Sequence, residues 1–175
     1  LNAIAEDGRV GLERSTQTYS IIAVDAYRPP YIPPHLTTQE FFKAAKDHLT
    51  SDGVLVVNVG RSPTDRTLVD QVASTIETVF DSVYIVDVPG SFNSMIYATR
   101  PPTQFSNLVT NLEFLKAEAG TPTLLLDSMQ VAAAYVQPTP PVSVVYTDDW
   151  APIEWVTNNM VLNYVLFGDL QEIGH

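Results

Sequence analysis

No cysteine occurs among the 175 residues, which excludes a disulfide framework and any thiolate metal site. Histidine is scarce as well. His35, His48 and His175 are scattered, with no HExxH or other paired ligand spacing, so no metal site is expected. Positive charge is in short supply, with 9 Lys and Arg against 20 Asp and Glu and a formal charge of -11. Phosphate backbones are held by clustered cations, so this balance argues against a nucleic-acid partner. An acidic surface suits a small cationic ligand, although many soluble proteins are simply acidic. No apolar run approaches the roughly 20 residues of a membrane span, and the first residues lack the basic-then-apolar order of a signal peptide. There is no internal repeat and no low-complexity segment. These absences lead to the expectation of one soluble, cytoplasmic domain over residues 1–175. The chain starts at Leu1, inside what reads as a strand, and is expected to be a piece of a longer protein.

What is present centres on residues 21–42, IIAVDAYRPPYIPPHLTTQEFF. The apolar run Ile21–Val24 ends in Asp25, a proline-rich loop follows, and a helix start comes next, which predicts strand, loop, helix. Open parallel sheets bind ligands at the carboxyl ends of their strands, where Asp25 would stand. The competing reading of Asp25 is a turn or cap residue bonding its own backbone. Upstream, residues 1–5 predict a short strand ending in an Asp7-Gly8-Arg9 turn. Thr37 and Glu40 have capping-box spacing for a helix running to about Leu49. Val54–Val59 reads as a buried strand, apolar apart from Asn58. A helix from Pro63 buries Leu68, Val72, Ala73, Ile76 and Phe80, and 82–88 and 93–99 form a hairpin around Pro89-Gly90. Phe105, Leu108, Leu112 and Leu115 mark a third helix, residues 121–136 lean helical, and Val142–Tyr146 is a candidate strand. Asp148 and Asp149 precede a last helix, with Pro152 in its first turn, running to about Phe167; helix capping alone accounts for acids there.

This order predicts the second half of an α/β, class I S-adenosylmethionine-methyltransferase-like (Rossmann-like) sheet, mostly parallel with an antiparallel last strand and with the first strands missing. Within it, EDGRVGLE, IIAVDAY, HLTTQEFF, GVLVVNVG, DVPGSFNSMIYAT and TDDWAPIE together resemble the spermidine synthase family of polyamine aminopropyltransferases. The resemblance covers at least residues 6–167 and is strongest to a bacterial spermidine synthase-like branch whose members are often fused to membrane segments. It implies transfer of an aminopropyl group from decarboxylated S-adenosylmethionine, a co-substrate rather than a resident cofactor, to a diamine such as putrescine. An amine with a pKa of about 10 arrives protonated and must be neutralised before it attacks. By the resemblance, Asp25 is the base that does this, and Asp7 with Gly8 is the turn whose carboxylate binds the adenine amino group. Leu36 matches a position near the thioether.

Two positions depart from the family pattern. Arg28 stands where a second acid normally helps hold the polyamine, which leaves Asp148, Asp149 or Glu154 to hold the amine, with Tyr27 walling the pocket. Pro89–Asn93 replaces the usual substrate segment, so the diamine need not be putrescine. Tyr31, His35 and Asn93 are further candidates to touch the site, each with a packing or strand-start reading beside it. Trp150 and Trp155 read as core or interface. The alternatives in function are a methyltransferase using S-adenosylmethionine itself, or a degenerate homologue serving as a dimerisation module. The resemblance assigns activity to the full-length parent rather than to these residues alone, and implies a membrane tether in that parent with this domain on the cytoplasmic side. The Ile21–Val24 strand would lose its partner and become an exposed edge, which predicts a homo-oligomer or pairing with an N-terminal segment.

Overall fold

The computed structural model describes residues 3–27 and 31–167; what the sequence suggested for Leu1, Asn2 and Arg28 lies outside the described residues. The chain alternates strand and helix. Apolar Tyr19–Val24 forms β1, Gln39–Asp47 forms α2 and Leu49–Gly60 forms β2, after a short first helix α1, Gly8–Arg14. Helix α3 (Thr67–Glu77) leads into the hairpin of β3 (Ser82–Asp87) and β4 (Asn93–Thr99). Gly90 takes φ +69° in the hairpin turn, a left-handed conformation that glycine adopts without steric cost. Helices α4 (Ser106–Ala117) and α5 (Thr123–Tyr135), the short β5 (Val136–Gln137) and α6 (Ile153–Phe167) complete the order.

The sheet order is β1-β2-β4-β3-β5. Strands β1 and β2 are parallel, and β4 lies antiparallel between β2 and β3, so β1, β2 and β3 point the same way. An antiparallel strand slotted inside a parallel sheet is what the sequence order predicts for the methyltransferase-like fold. One face is closed. Val24, Leu55, Val57, Val59, Ile85 and Ile96 are buried there beneath Phe41, Phe42 and Ala45 of α2 and Leu68, Val72, Ala73 and Ile76 of α3. Each large side chain so buried contributes on the order of 1.5–3 kcal/mol, enough for these two helices to fix the register of the sheet above them. On the opposite face Ile21 and Ala23 are exposed and Val56 and Tyr97 are half-buried.

Several local expectations are corrected. Residues 3–5 form no strand, and Asp7-Gly8-Arg9 is the start of α1, because the Asp7 carboxylate accepts from the Arg9 and Val10 amides and nucleates a helix. The cap of α2 is Thr38 rather than Thr37, accepting from the Phe41 amide; the Thr37 hydroxyl donates to Pro34, and Glu40 accepts from the Asp148 amide instead of closing a capping box. Leu49 is buried, but as the first residue of β2. Residues 142–146 form no strand; fully buried Tyr146 anchors them, its main-chain amide bonded to Thr75 and its hydroxyl to Gln71. Trp150 and Trp155 are 54% and 68% exposed, which excludes the core reading for both.

Candidate active site

Val24 pairs with Val57, so the next residues along the two parallel strands, Asp25 and Asn58, stand side by side at their carboxyl ends. The Asn58 Nδ2 donates to Asp25 Oδ1 at 2.9 Å. A carboxylate only accepts, so the amide nitrogen must face it and Asn58 Oδ1 must point away. That oxygen is buried and has no hydrogen-bond donor among the described residues. Tyr27, two residues past Asp25, donates its hydroxyl to the Asn58 carbonyl at 3.1 Å. Burial, and next the charge of Asp25, push the Tyr27 phenol up to about 12, so at ordinary pH it stays a neutral donor. Asp25 itself is exposed to the cleft.

That cleft encloses about 370 Å³ between α1, the end of β1 and the turn before α2. Gly8, Leu12, Val24, Asp25, Leu36 and Phe41 line it, so three residues singled out in the sequence, Gly8, Asp25 and Leu36, meet in one apolar-walled cavity. A larger hollow of about 640 Å³ runs beneath α1 along the open side of β1; Glu6 lines it, and Asp25 does not. Asp7 precedes Gly8 in the chain and does not itself line the cleft. Its Oδ1 accepts from the Arg9 and Val10 amides at 3.0 and 3.1 Å, and its Oδ2 faces His35 Nε2 at 2.7 Å. The Val10 amide first, and His35 after it, hold the Asp7 carboxyl below its ordinary range.

Asp148 does not cap α6. It forms a two-pronged ion pair with Arg9, 2.7 and 2.8 Å, and accepts from the Thr38 hydroxyl at 2.7 Å. The Arg9 guanidinium, with Thr38 behind it, lowers the Asp148 carboxyl to about 2. Arg9, His35, Thr38 and Asp148 line a separate hollow of about 450 Å³. Asp149 and Glu154 are exposed, and neither they nor Tyr27 lines the 370 Å³ cleft. Tyr31 bonds Asn158 on α6 at 2.8 Å, and Asn93 opens β4 opposite Gly60. No cluster of three or more His, Cys, Asp or Glu suited to a metal occurs among the described residues. Asn58 stands out in the sequence as the one amide of an otherwise apolar strand, but its pairing with Asp25 is set by the register of β1 and β2.

Comparison with known proteins identifies the family to which the chain is similar. The family model described as "Spermine/spermidine synthase domain" matches residues 1–108. A probable polyamine aminopropyl transferase of Bifidobacterium longum (strain NCC 2705) is 30% identical over 161 residues, 85% of this chain and 36% of that protein. A polyamine aminopropyltransferase of Vibrio vulnificus (strain CMCP6) is 37% identical over 86 residues, 47% of this chain and 28% of that protein. The chain thus spans about a third of the length of these relatives. In structure it resembles a probable spermidine synthase from Corynebacterium glutamicum ATCC 13032, with a TM-score of 0.53 and 19% identity over 89% of this chain and 50% of that one. With the matched domain covering more than half of its residues, the chain belongs to the spermine/spermidine synthase family.

Proposed function

We propose that these residues form the amine-activating part of an aminopropyltransferase that moves an aminopropyl group from decarboxylated S-adenosylmethionine to a small diamine. The observation that carries this reading is Asp25, held by Asn58 at the mouth of the cleft that Gly8 and Leu36 also line. The names of both curated relatives, polyamine aminopropyl transferases, support it and weigh against the methyl-transfer alternative.

The acceptor enters as an ammonium. Asp25 takes one of its protons, the freed nitrogen lone pair attacks the carbon beside the sulfonium, and the carbon–sulfur bond breaks with its electron pair moving to sulfur. The products are the N-aminopropyl amine and neutral methylthioadenosine, and Asp25 passes its proton to water. A positioned base of this kind contributes about 10²- to 10⁴-fold to rate. Leu12, Leu36 and Phe41 offer an apolar wall to the thioether side, and Asp7, next to Gly8, offers an acceptor to the base. Asp148 is committed to Arg9, which leaves exposed Asp149 and Glu154 as the acids available to the far end of a diamine. A cytoplasmic setting and assembly as a homo-oligomer accompany this reading as expectations; no described helix is long and apolar enough to cross a membrane.

Calorimetric titration of the protein with its natural flanking sequence tests the donor. Decarboxylated S-adenosylmethionine is expected to bind more tightly than S-adenosylmethionine, and equal or tighter binding of the latter would sink the aminopropyl reading. Asp25→Asn is expected to abolish turnover while leaving methylthioadenosine affinity within a few-fold; retained turnover excludes Asp25 as the base.

A further inference from the structure

We infer that His35 is a specificity residue at the nucleobase end of the cleft, where its imidazole holds the Asp7 oxygen that an incoming base must use. This rests on the reading of Asp7 as the acceptor for an exocyclic amino group. An ionised carboxylate has two oxygens and can accept about four hydrogen bonds. In Asp7 one oxygen is already taken twice, by the Arg9 and Val10 amides at 3.0 and 3.1 Å, because it caps α1. Only Oδ2 is left, and His35 Nε2 sits 2.7 Å from it. Since the carboxylate accepts only, Nε2 carries the proton and donates.

The imidazole is well placed to compete. His35 precedes Leu36 and Asp7 precedes Gly8, and Leu36 and Gly8 both line the cleft, while His35 itself lines the 450 Å³ hollow, so each member of the pair stands one residue from the lining of the cleft. The His35 carbonyl is pinned by Arg9 Nη1 at 3.2 Å, so the backbone stays while the ring is free to turn. Both side chains of the pair are nearly half exposed, 45% for His35 and 43% for Asp7. A pair that open is easily given up to solvent. Oδ2 keeps one further acceptor site, so an entering amino group shares Oδ2 with the imidazole, and its affinity carries the cost of crowding that donor aside. The same donor softens the rejection of a base that presents a carbonyl where adenine has an amino group. Against Asp7 alone, such a carbonyl meets lone pairs only; beside His35 it meets an N–H.

The test measures dissociation constants of methylthioadenosine and of its hypoxanthine counterpart, methylthioinosine, by calorimetry on the protein with its natural flanking sequence. His35→Ala is expected to bind methylthioadenosine about two- to fivefold more tightly, the range that an exposed pair is able to withhold. Preference for the amino over the oxo nucleoside is expected to widen. His35→Gln, whose amide is able to donate to Asp7, is expected to stay near the starting values. Unchanged or weaker methylthioadenosine binding by His35→Ala, with an unaltered thermal melt, overturns the inference. Asp7→Asn keeps the helix cap but turns an NH2 outward, and is expected to weaken methylthioadenosine. If it does not, the nucleobase role of Asp7 fails and the inference with it; if it does while His35→Ala changes nothing, the inference alone fails.

Discussion

Asn58 is the residue through which Asp25 acquires a direction. Its Nδ2 bond fixes one carboxylate oxygen and leaves Oδ2 for the incoming amine of the proposed reaction, and its own backbone carbonyl is tied down by Tyr27. One such hydrogen bond contributes about 1–1.5 kcal/mol, or roughly tenfold in rate where it serves only to orient the base. Asn58→Ala is therefore expected to lower kcat about tenfold with methylthioadenosine affinity little changed. Asn58→Asp places two carboxyl groups within hydrogen-bond reach, and one of them must hold a proton. The acid limb of the pH profile of kcat/KM is then expected to move upward for Asn58→Asp and to stay in place for Asn58→Ala. An unmoved limb in Asn58→Asp would show that the amide does not face the working carboxylate. Asp25 was legible in the sequence because a charged residue directly after a four-residue apolar run has few places to be other than a strand end. Its neighbour across the sheet was not, since that pairing depends on the register of two strands 33 residues apart.

At the scale of elements, α1 is attached with little apolar contact, through half-buried Leu12. It has no fully buried residue, and beside Leu12 polar bonds hold it over the cleft: Asp7 to His35, Arg9 to the His35 carbonyl, and Arg9 to Asp148. The two-pronged Arg9–Asp148 pair is exposed on the acid side, so screening limits it to about 1 kcal/mol or less. Its pH dependence has a definite sign. The Asp148 carboxyl lies lower in the folded chain, about 2, than in an unfolded one. Its contribution is thus complete above the unfolded value of about 3.9 and is lost as pH falls through the folded one. The melting temperature of Arg9→Ala is expected to fall below that of the unsubstituted protein at pH 6, with the gap closing as pH approaches 2. A gap that persists unchanged in acid would assign the effect to packing of the arginine stem. The main strands and the helices α2 and α3 were readable because their apolar spacing matches their burial, whereas α6 was announced by Pro152 at its start, since Leu162, Val165, Leu166 and Phe167 are apolar yet exposed. The strand expected at 142–146 failed for a physical reason: its alternation reflects one deep anchor, Tyr146, whose amide is satisfied by Thr75 rather than by a neighbouring strand. The assignment of the cap to Thr37 failed likewise, because both hydroxyls find partners and only the turn geometry at 34–36 decides which one caps.

Considered as a whole molecule, the described sheet is finished on one side and open on the other. At one end β5 closes β3, while at the other β1 has only β2 beside it, leaving a parallel edge of six residues next to Asp25. The face behind that edge adds Ile21, 64% exposed, together with Ala23 and half-buried Val56 and Tyr97. An unpaired edge backed by apolar surface is a template for another strand, and natural sheets blunt such edges with charge, proline or a covering element. β1 carries no charge and no proline. The net charge of -11 opposes association of identical copies, and salt weakens that opposition. Residues 1–175 expressed alone are therefore expected to scatter light with a mass above the 19.3 kDa of one chain, increasingly so at higher salt. Ile21→Lys, which places a charge on the exposed face without touching the buried Val24 side, is expected to return the mass toward that of a single chain. A single-chain mass for the unsubstituted residues across the same salt range would mean that the open edge is sufficiently solvated as it stands. The preference of β1 for a companion strand would then have to be sought in function rather than in assembly.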